Sequence, residues 1–150
     1  MTPVQSILGS LGLGLPDPQW VRSRIKHPNA ELRRFVGLPR LAGMVVGKVY
    51  FAQATPGGPV KIGWSTNVRK RVMELARSTP GLSPLADVSG IRLDEGRVHR
   101  ALDVHRATEP IYSRSEYRGI CSISWPEGRE WFHPTEDVRR VVEACGGRLK

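Results

Sequence analysis

Residues 45–64 read VVGKVYFAQATPGGPVKIGW, and this stretch decides the fold. Two runs rich in valine and aromatic residues, Val45 to Gln53 and Val60 to Trp64, flank the cluster Pro56-Gly57-Gly58-Pro59. β-Branched and aromatic side chains suit a pleated, half-buried surface, and clustered Pro and Gly mark a turn. The stretch therefore predicts two strands joined as a β-hairpin. Ser65, Thr66 and Asn67 follow as candidate caps, because a short side-chain oxygen accepts from the free amides of a first helical turn. Beyond them Val68, Val72, Leu75 and Ala76 recur at helical spacing and form one apolar stripe.

Toward the C terminus, Leu85 to Ile91 predicts a third strand ending near Gly90. Asp94 is the expected cap of a helix with Val98, Ala101, Leu102 and His105 on one face. Thr108 to Glu127 has no clean period and reads as a long loop or an irregular strand pair. Pro134 and Thr135 open a last helix with Glu136 and Asp137 in its first turn, where the helix dipole favours carboxylates. That helix carries Val138, Val141, Val142 and Cys145, and Gly146 ends it.

Toward the N terminus, Pro18 opens a helical stretch with Trp20, Val21 and Ile25, and Asn29 caps Ala30 to Val36, closed by Gly37. The expected class is α+β. Residues 45–150 form a small domain built on a hairpin-led, mostly antiparallel three-stranded sheet flanked by helices, preceded by a short basic helical appendage over residues 1–44. On this division the core begins after Leu41, so removal of residues 1–40 should leave it folded.

A chain of 150 residues fits one domain of ordinary size, and 39% hydrophobic with 25% charged residues is a globular composition. The net charge of +9 and pI near 10.4 direct it to phosphate polymers or anionic membrane surfaces. Its apolar stretches are broken by Gly, Pro or Arg before the roughly 18 residues a membrane span requires, so nucleic acid is the better partner. Ser6 to Leu15 is apolar and glycine-rich but follows no basic region, and is not read as a signal peptide. Cys121 and Cys145 make no CxxC unit, the pattern of reduced thiols in an intracellular, cytoplasmic protein.

Four polar residues stand where this pattern brings side chains to one rim. Tyr50 lies inside the first strand, Lys61 begins the second, Arg71 borders the stripe of the following helix, and Glu95 lies three residues before Val98. Each has an ordinary reading alone: a strand aromatic, an edge-strand charge, part of the solvated run Arg69-Lys70-Arg71, and a carboxylate at a helix N-terminus. His99, one turn after Glu95, is placed to hydrogen-bond that carboxylate, to touch nucleic acid or to sit satisfied in the helix surface.

Taken in order, Lys48-Val49-Tyr50, Lys61-Ile62-Gly63, Arg71, Glu95 to His99 and Glu130-Trp131-Phe132 resemble the motifs of the GIY-YIG nuclease superfamily, in its phage-borne and meiotically up-regulated branch. Lys61 follows Tyr50 by 11 residues and Arg71 follows Lys61 by 10, and the resemblance runs from about Val45 to Gly146. Lys61 stands where the family name has its second tyrosine, Lys48 where it has its first glycine. The family's late asparagine has no counterpart near Glu130 to His133.

The resemblance implies an endonuclease that hydrolyses DNA phosphodiesters by in-line attack of water, leaving 5′-phosphate and 3′-hydroxyl ends, with no small-molecule cofactor. By it Tyr50 activates the water, and Lys61 lowers the phenol pKa or contacts phosphate. Arg71 binds a non-bridging oxygen. Glu95 is the single protein ligand of Mg2+ (or Mn2+), and Arg69, Lys70 and His99 contact substrate. Two rival readings are a silent nucleic-acid-binding module of the same fold and a basic assembly protein of a phage or mobile element. A carboxylate set among these cations favours the enzyme. Strict sequence recognition by so small a domain would call for a homodimer, a protein partner or substrate shape.

Overall fold

The computed structural model describes residues 1–19, 45–107 and 130–150, and the backbone of 111–113 and 122–124. Its elements are α1 (Pro3–Ser10), β1 (Gly47–Gln53), β2 (Val60–Ser65), α2 (Val68–Ala76), β3 (Ser83–Gly90), α3 (Arg92–Ala101), β4 (Ile111–Ser113), β5 (Ser122–Ser124), β6 (Trp131–Phe132) and α4 (Glu136–Ala144). The stretches expected to be helical after Pro18, Trp20 to Ile25 and Ala30 to Val36, lie outside the described residues, as does Cys121.

The hairpin forms as expected. β1 and β2 pair antiparallel with Tyr50 opposite Gly63 and Ala52 opposite Lys61. Gly57 takes a φ of 70° in the connection, a conformation open to glycine because it has no Cβ. Gln53, fully buried at the end of β1, donates to the Gly58 carbonyl at 2.7 Å and ties the turn back to the strand. β3 pairs antiparallel with the other edge of β1, and β6 with the outer edge of β2, giving the order β3-β1-β2-β6.

The class is α+β, a four-stranded antiparallel sheet flanked by helices. The fourth strand corrects the expected three. Trp131 and Phe132 are too few for an alternating pattern to show in sequence, yet they pair with Lys61 and Val60 and are buried. β4 and β5 form a separate two-stranded sheet within the segment read as a loop or irregular strand pair.

Strand alternation sorts the side chains into two layers. Val49, Phe51, Val60, Ile62 and Phe132 face one side and pack with Val98 and Leu102 of α3 and Val138, Val141 and Val142 of α4. Tyr50, Ala52 and Trp131 face the other and pack with Val72 of α2 and Leu82. The stripes of α2 and α4 are thus those read from the sequence. Asn67 caps α2, accepting from the Lys70 amide at 3.0 Å.

Both boundaries of α3 move. α3 begins at Arg92, with Asp94 in its first turn, where its carboxylate accepts from the Ile91 amide at 2.9 Å. The same helix ends at Ala101, and His105 lies in a 3-10 turn after it. α1 was not expected at all. Its start carries a reciprocal cap, in which Thr2 accepts from the Gln5 amide and Gln5 accepts from the Thr2 amide, with Pro3 opening the helix. Val4 and Leu8 of α1 are 2% and 3% exposed within the same core as Phe51 and Val98. Residues 1–10 therefore pack into the same core as the sheet, where the sequence reading began that core after Leu41.

Candidate functional site

The hairpin places Tyr50 and Lys61 on one face, because their cross-strand partners Gly63 and Ala52 fix the register. Tyr50 is 1% exposed, with its phenol over Gly63: a Cβ built on that glycine would lie 2.5 Å from the phenol oxygen. The glycine of Lys61-Ile62-Gly63 is thus a space requirement set by the tyrosine. α2 covers this face and brings Arg71 from its exposed side to the phenol.

Burial raises the Tyr50 pKa above the ordinary phenol value. Arg71 opposes this, by its charge and as a hydrogen-bond donor, and Glu95 adds to the rise. Arg71 is thus a cation that favours the phenolate, a part the sequence reading weighed for Lys61 beside direct contact with phosphate. Arg71 also pairs with Glu74 at 3.5 Å. Arg69 and Lys70 point to solvent on the same helix.

Lys61 is 5% exposed. Burial pushes its ammonium down to about 8, Glu95 opposing that push and Arg71 adding to it. The ammonium contacts the Glu130 carboxylate and lies 5.8 Å from the centre of the Trp131 ring.

Glu95 stands in the first turn of α3, its side chain 14% exposed. Burial raises its pKa, against the pull of Arg92 and Lys61. Its carboxylate comes within 3.8 Å of His99 Nε2, beyond hydrogen-bond reach, and makes no hydrogen bond to any described residue. Arg71 and Glu95 thus act on the charge of both Tyr50 and Lys61, and Lys61 acts on that of Glu95. Among the described residues, no group of three or more His, Cys, Asp or Glu side chains is placed to hold a metal ion.

His99 sits edge-on to Phe132 with ring centroids 5.2 Å apart, and its Nε2 lies 3.0 Å from the Ile62 carbonyl. The Ile62 amide donates to the Glu130 carbonyl at 3.0 Å, so His99 continues the bonding of the outer edge of β2 where β6 ends. A carbonyl accepts, so Nε2 carries the proton in this contact. Burial lowers the His99 pKa to about 4, the neutral form. Of the three sequence options for His99, this contact matches a satisfied side chain.

The start of α3 is tied to the N-terminal segment. Asp94, fully buried, accepts from the Thr2 hydroxyl at 2.8 Å and from Arg97 at 2.6 Å. Arg97 grips both carboxylate oxygens of Asp17, at 2.9 and 2.8 Å. Sequence reasoning gave Glu130 a place in a motif but no role, and gave no part to Arg92 or to Thr2 and Asp17. The available signal for Glu130 was its place in the motif Glu130-Trp131-Phe132. Nothing local marks the contacts of Thr2 with Asp94 and of Asp17 with Arg97, which span 92 and 80 residues.

Fold and site together define a small basic α+β domain with a tyrosine, a lysine, an arginine and a carboxylate gathered at the rim of an antiparallel sheet. The chain belongs to the T5orf172 domain family, whose match spans residues 47–146 and marks a phage-related, nuclease-like domain. No curated protein and no solved structure matches it. Among the described residues, no helix is long and apolar enough to cross a membrane.

Proposed function

We propose that the protein is a GIY-YIG-type endonuclease that hydrolyses DNA phosphodiester bonds with Mg2+ or Mn2+, leaving 5′-phosphate and 3′-hydroxyl ends. The observation that carries this reading is Glu95: a largely buried carboxylate beside Lys61 and Arg92 that bonds to no described residue. Burying a carboxylate without hydrogen bonds is costly, and a hard divalent cation that takes oxygen ligands relieves that cost. When bound there, the ion supplies charge neutralisation for the leaving 3′-oxygen, with water and phosphate oxygens completing its shell.

The other side chains fit the remaining steps. Arg71 presents a planar fork to a non-bridging phosphate oxygen and stabilises the charge that grows there as phosphorus becomes five-coordinate. Tyr50 accepts the proton of the attacking water, its phenol held by burial above the ordinary value and Arg71 offsetting part of that rise. Lys61 faces the same phosphate as an ammonium. Arg69 and Lys70 attract the backbone without reading sequence, in keeping with a net charge of +9. His99, neutral and bonded to Ile62, supports the strand that carries Lys61.

Incubation of purified protein with supercoiled plasmid in Mg2+, Mn2+ or EDTA tests the reading. Nicked and linear product is expected with either metal and none with EDTA, and ligase should reseal the ends without added kinase. Tight binding with no cutting in any metal would instead assign a silent nucleic-acid-binding module.

A further inference from the structure

The least explained charge in the site is Glu130. It precedes β6, and its backbone is fixed by the bond from the Ile62 amide to its carbonyl at 3.0 Å. Its side chain, 33% exposed, contacts the Lys61 ammonium, itself 6% exposed. The next residue, Trp131, pairs with Lys61 across the strands and sets its ring 5.8 Å from the same ammonium. One edge strand thus delivers both a carboxylate and an aromatic face to a single buried cation.

The charged groups that act on Lys61 come from several elements. Glu95 of α3 favours the ammonium and Arg71 of α2 opposes it, while His99 is neutral. Arg106, which lies 5.2 Å over the Phe132 ring, is a further cation near this edge. Glu95, the other carboxylate, is the one that the proposed function commits to a cation. With its charge so engaged, Glu130 is left as the counter-charge that a buried ammonium needs.

We propose that Glu130 is a positioning residue: its carboxylate, with the Trp131 ring, holds Lys61 as a charged ammonium at the site. Substrate is met by Lys61, and Glu130 acts through it. The proposal rests on the nuclease reading for its consequence in catalysis, but the state of Lys61 is measurable without any cutting.

The test uses the full chain with Glu130→Gln and Glu130→Asp. The Lys61 side-chain nitrogen is titrated by NMR, and its signal is assigned with Lys61→Met. In Glu130→Gln it should lose its proton at least about one pH unit lower than in the parent, while Glu130→Asp restores most of the difference. Cutting by Glu130→Gln should match the parent within about threefold at pH 6.5 and fall roughly eightfold behind at pH 8.5.

An unchanged Lys61 titration, or a loss of cutting equal at all pH values, would overturn the proposal. Faster cutting at low pH would do so as well, by making the neutral amine the working form. If Glu130→Gln does not fold, the same readings are taken on Glu130→Ala, where a downward shift of the Lys61 titration supports the proposal and an unchanged one opposes it. If the parent cuts nothing, the nuclease reading fails and the NMR titration still decides whether Glu130 holds Lys61.

Discussion

The phenol of Tyr50 occupies the space in which a side chain at Gly63 would begin, with a Cβ there 2.5 Å from the hydroxyl oxygen and 2.6 Å from the ring carbon that bears it. The two residues face each other across the hairpin. Gly63→Ala should therefore displace the phenol, costing about 1–3 kcal/mol of stability by overpacking and about a hundredfold in cutting rate by misplacing a reacting group. Gly96→Ala on α3, where a Cβ meets open space, is the control and should be stabilising by about 1 kcal/mol. Denaturant unfolding and single-turnover rates measure both.

Arg71 and Lys61 should separate cleanly in their effect on the tyrosine. The Tyr50 phenol, followed by its ultraviolet difference spectrum against Tyr50→Phe, should ionise at higher pH in Arg71→Ala, because the cation and donor that favour phenolate are gone. In Lys61→Met it should ionise where it does in the parent. Cutting by Arg71→Ala should be lost at neutral pH and recover only in part as pH rises, since the phosphate contact is lost too. A phenol that moves with Lys61 and ignores Arg71 would return the role to lysine.

His99 gives a stability signature. Its folded pKa of about 4 lies below the ordinary 6.5, so between those values the unfolded chain binds the proton more readily. The His99 contribution is therefore present in full above about pH 6.5 and is lost as pH falls toward 4, by on the order of 3 kcal/mol. His99→Gln should flatten this part of the stability–pH curve. Cutting by the parent should show no limb near pH 6.5 that His99→Gln removes.

The N-terminal segment should matter to the fold. Arg97→Met leaves fully buried Asp94 without its cation and Asp17 without its clamp. The expected loss is about 3–5 kcal/mol. Leu8→Ala opens the core under α1 and should cost about 2–5 kcal/mol. Urea midpoints that shift with unchanged slope would show both.

The hairpin, α2 and α4 were legible because their signals are local: clustered Pro and Gly, a cap at Asn67 and apolar residues at helical spacing. So was the order of Tyr50, Lys61, Arg71 and Glu95, since a hairpin with a following helix fixes where such residues fall. What escaped depends on distant partners. β6 is two residues held by pairing with β2, and α1 is eight residues whose stability comes from burying Val4 and Leu8. The assignment of Arg71 to the phenol needed the helix seated on the sheet, which spacing along the chain does not give.

The most direct test of the account compares the parent with Glu95→Gln on the same supercoiled plasmid in Mg2+, reading cutting and DNA affinity side by side. The substitution keeps the shape of the side chain, removes the proposed metal ligand and takes one negative charge from the phosphate surface. The account predicts no detectable cutting, with affinity equal to the parent or higher. Cutting by Glu95→Gln at the parental rate would contradict it.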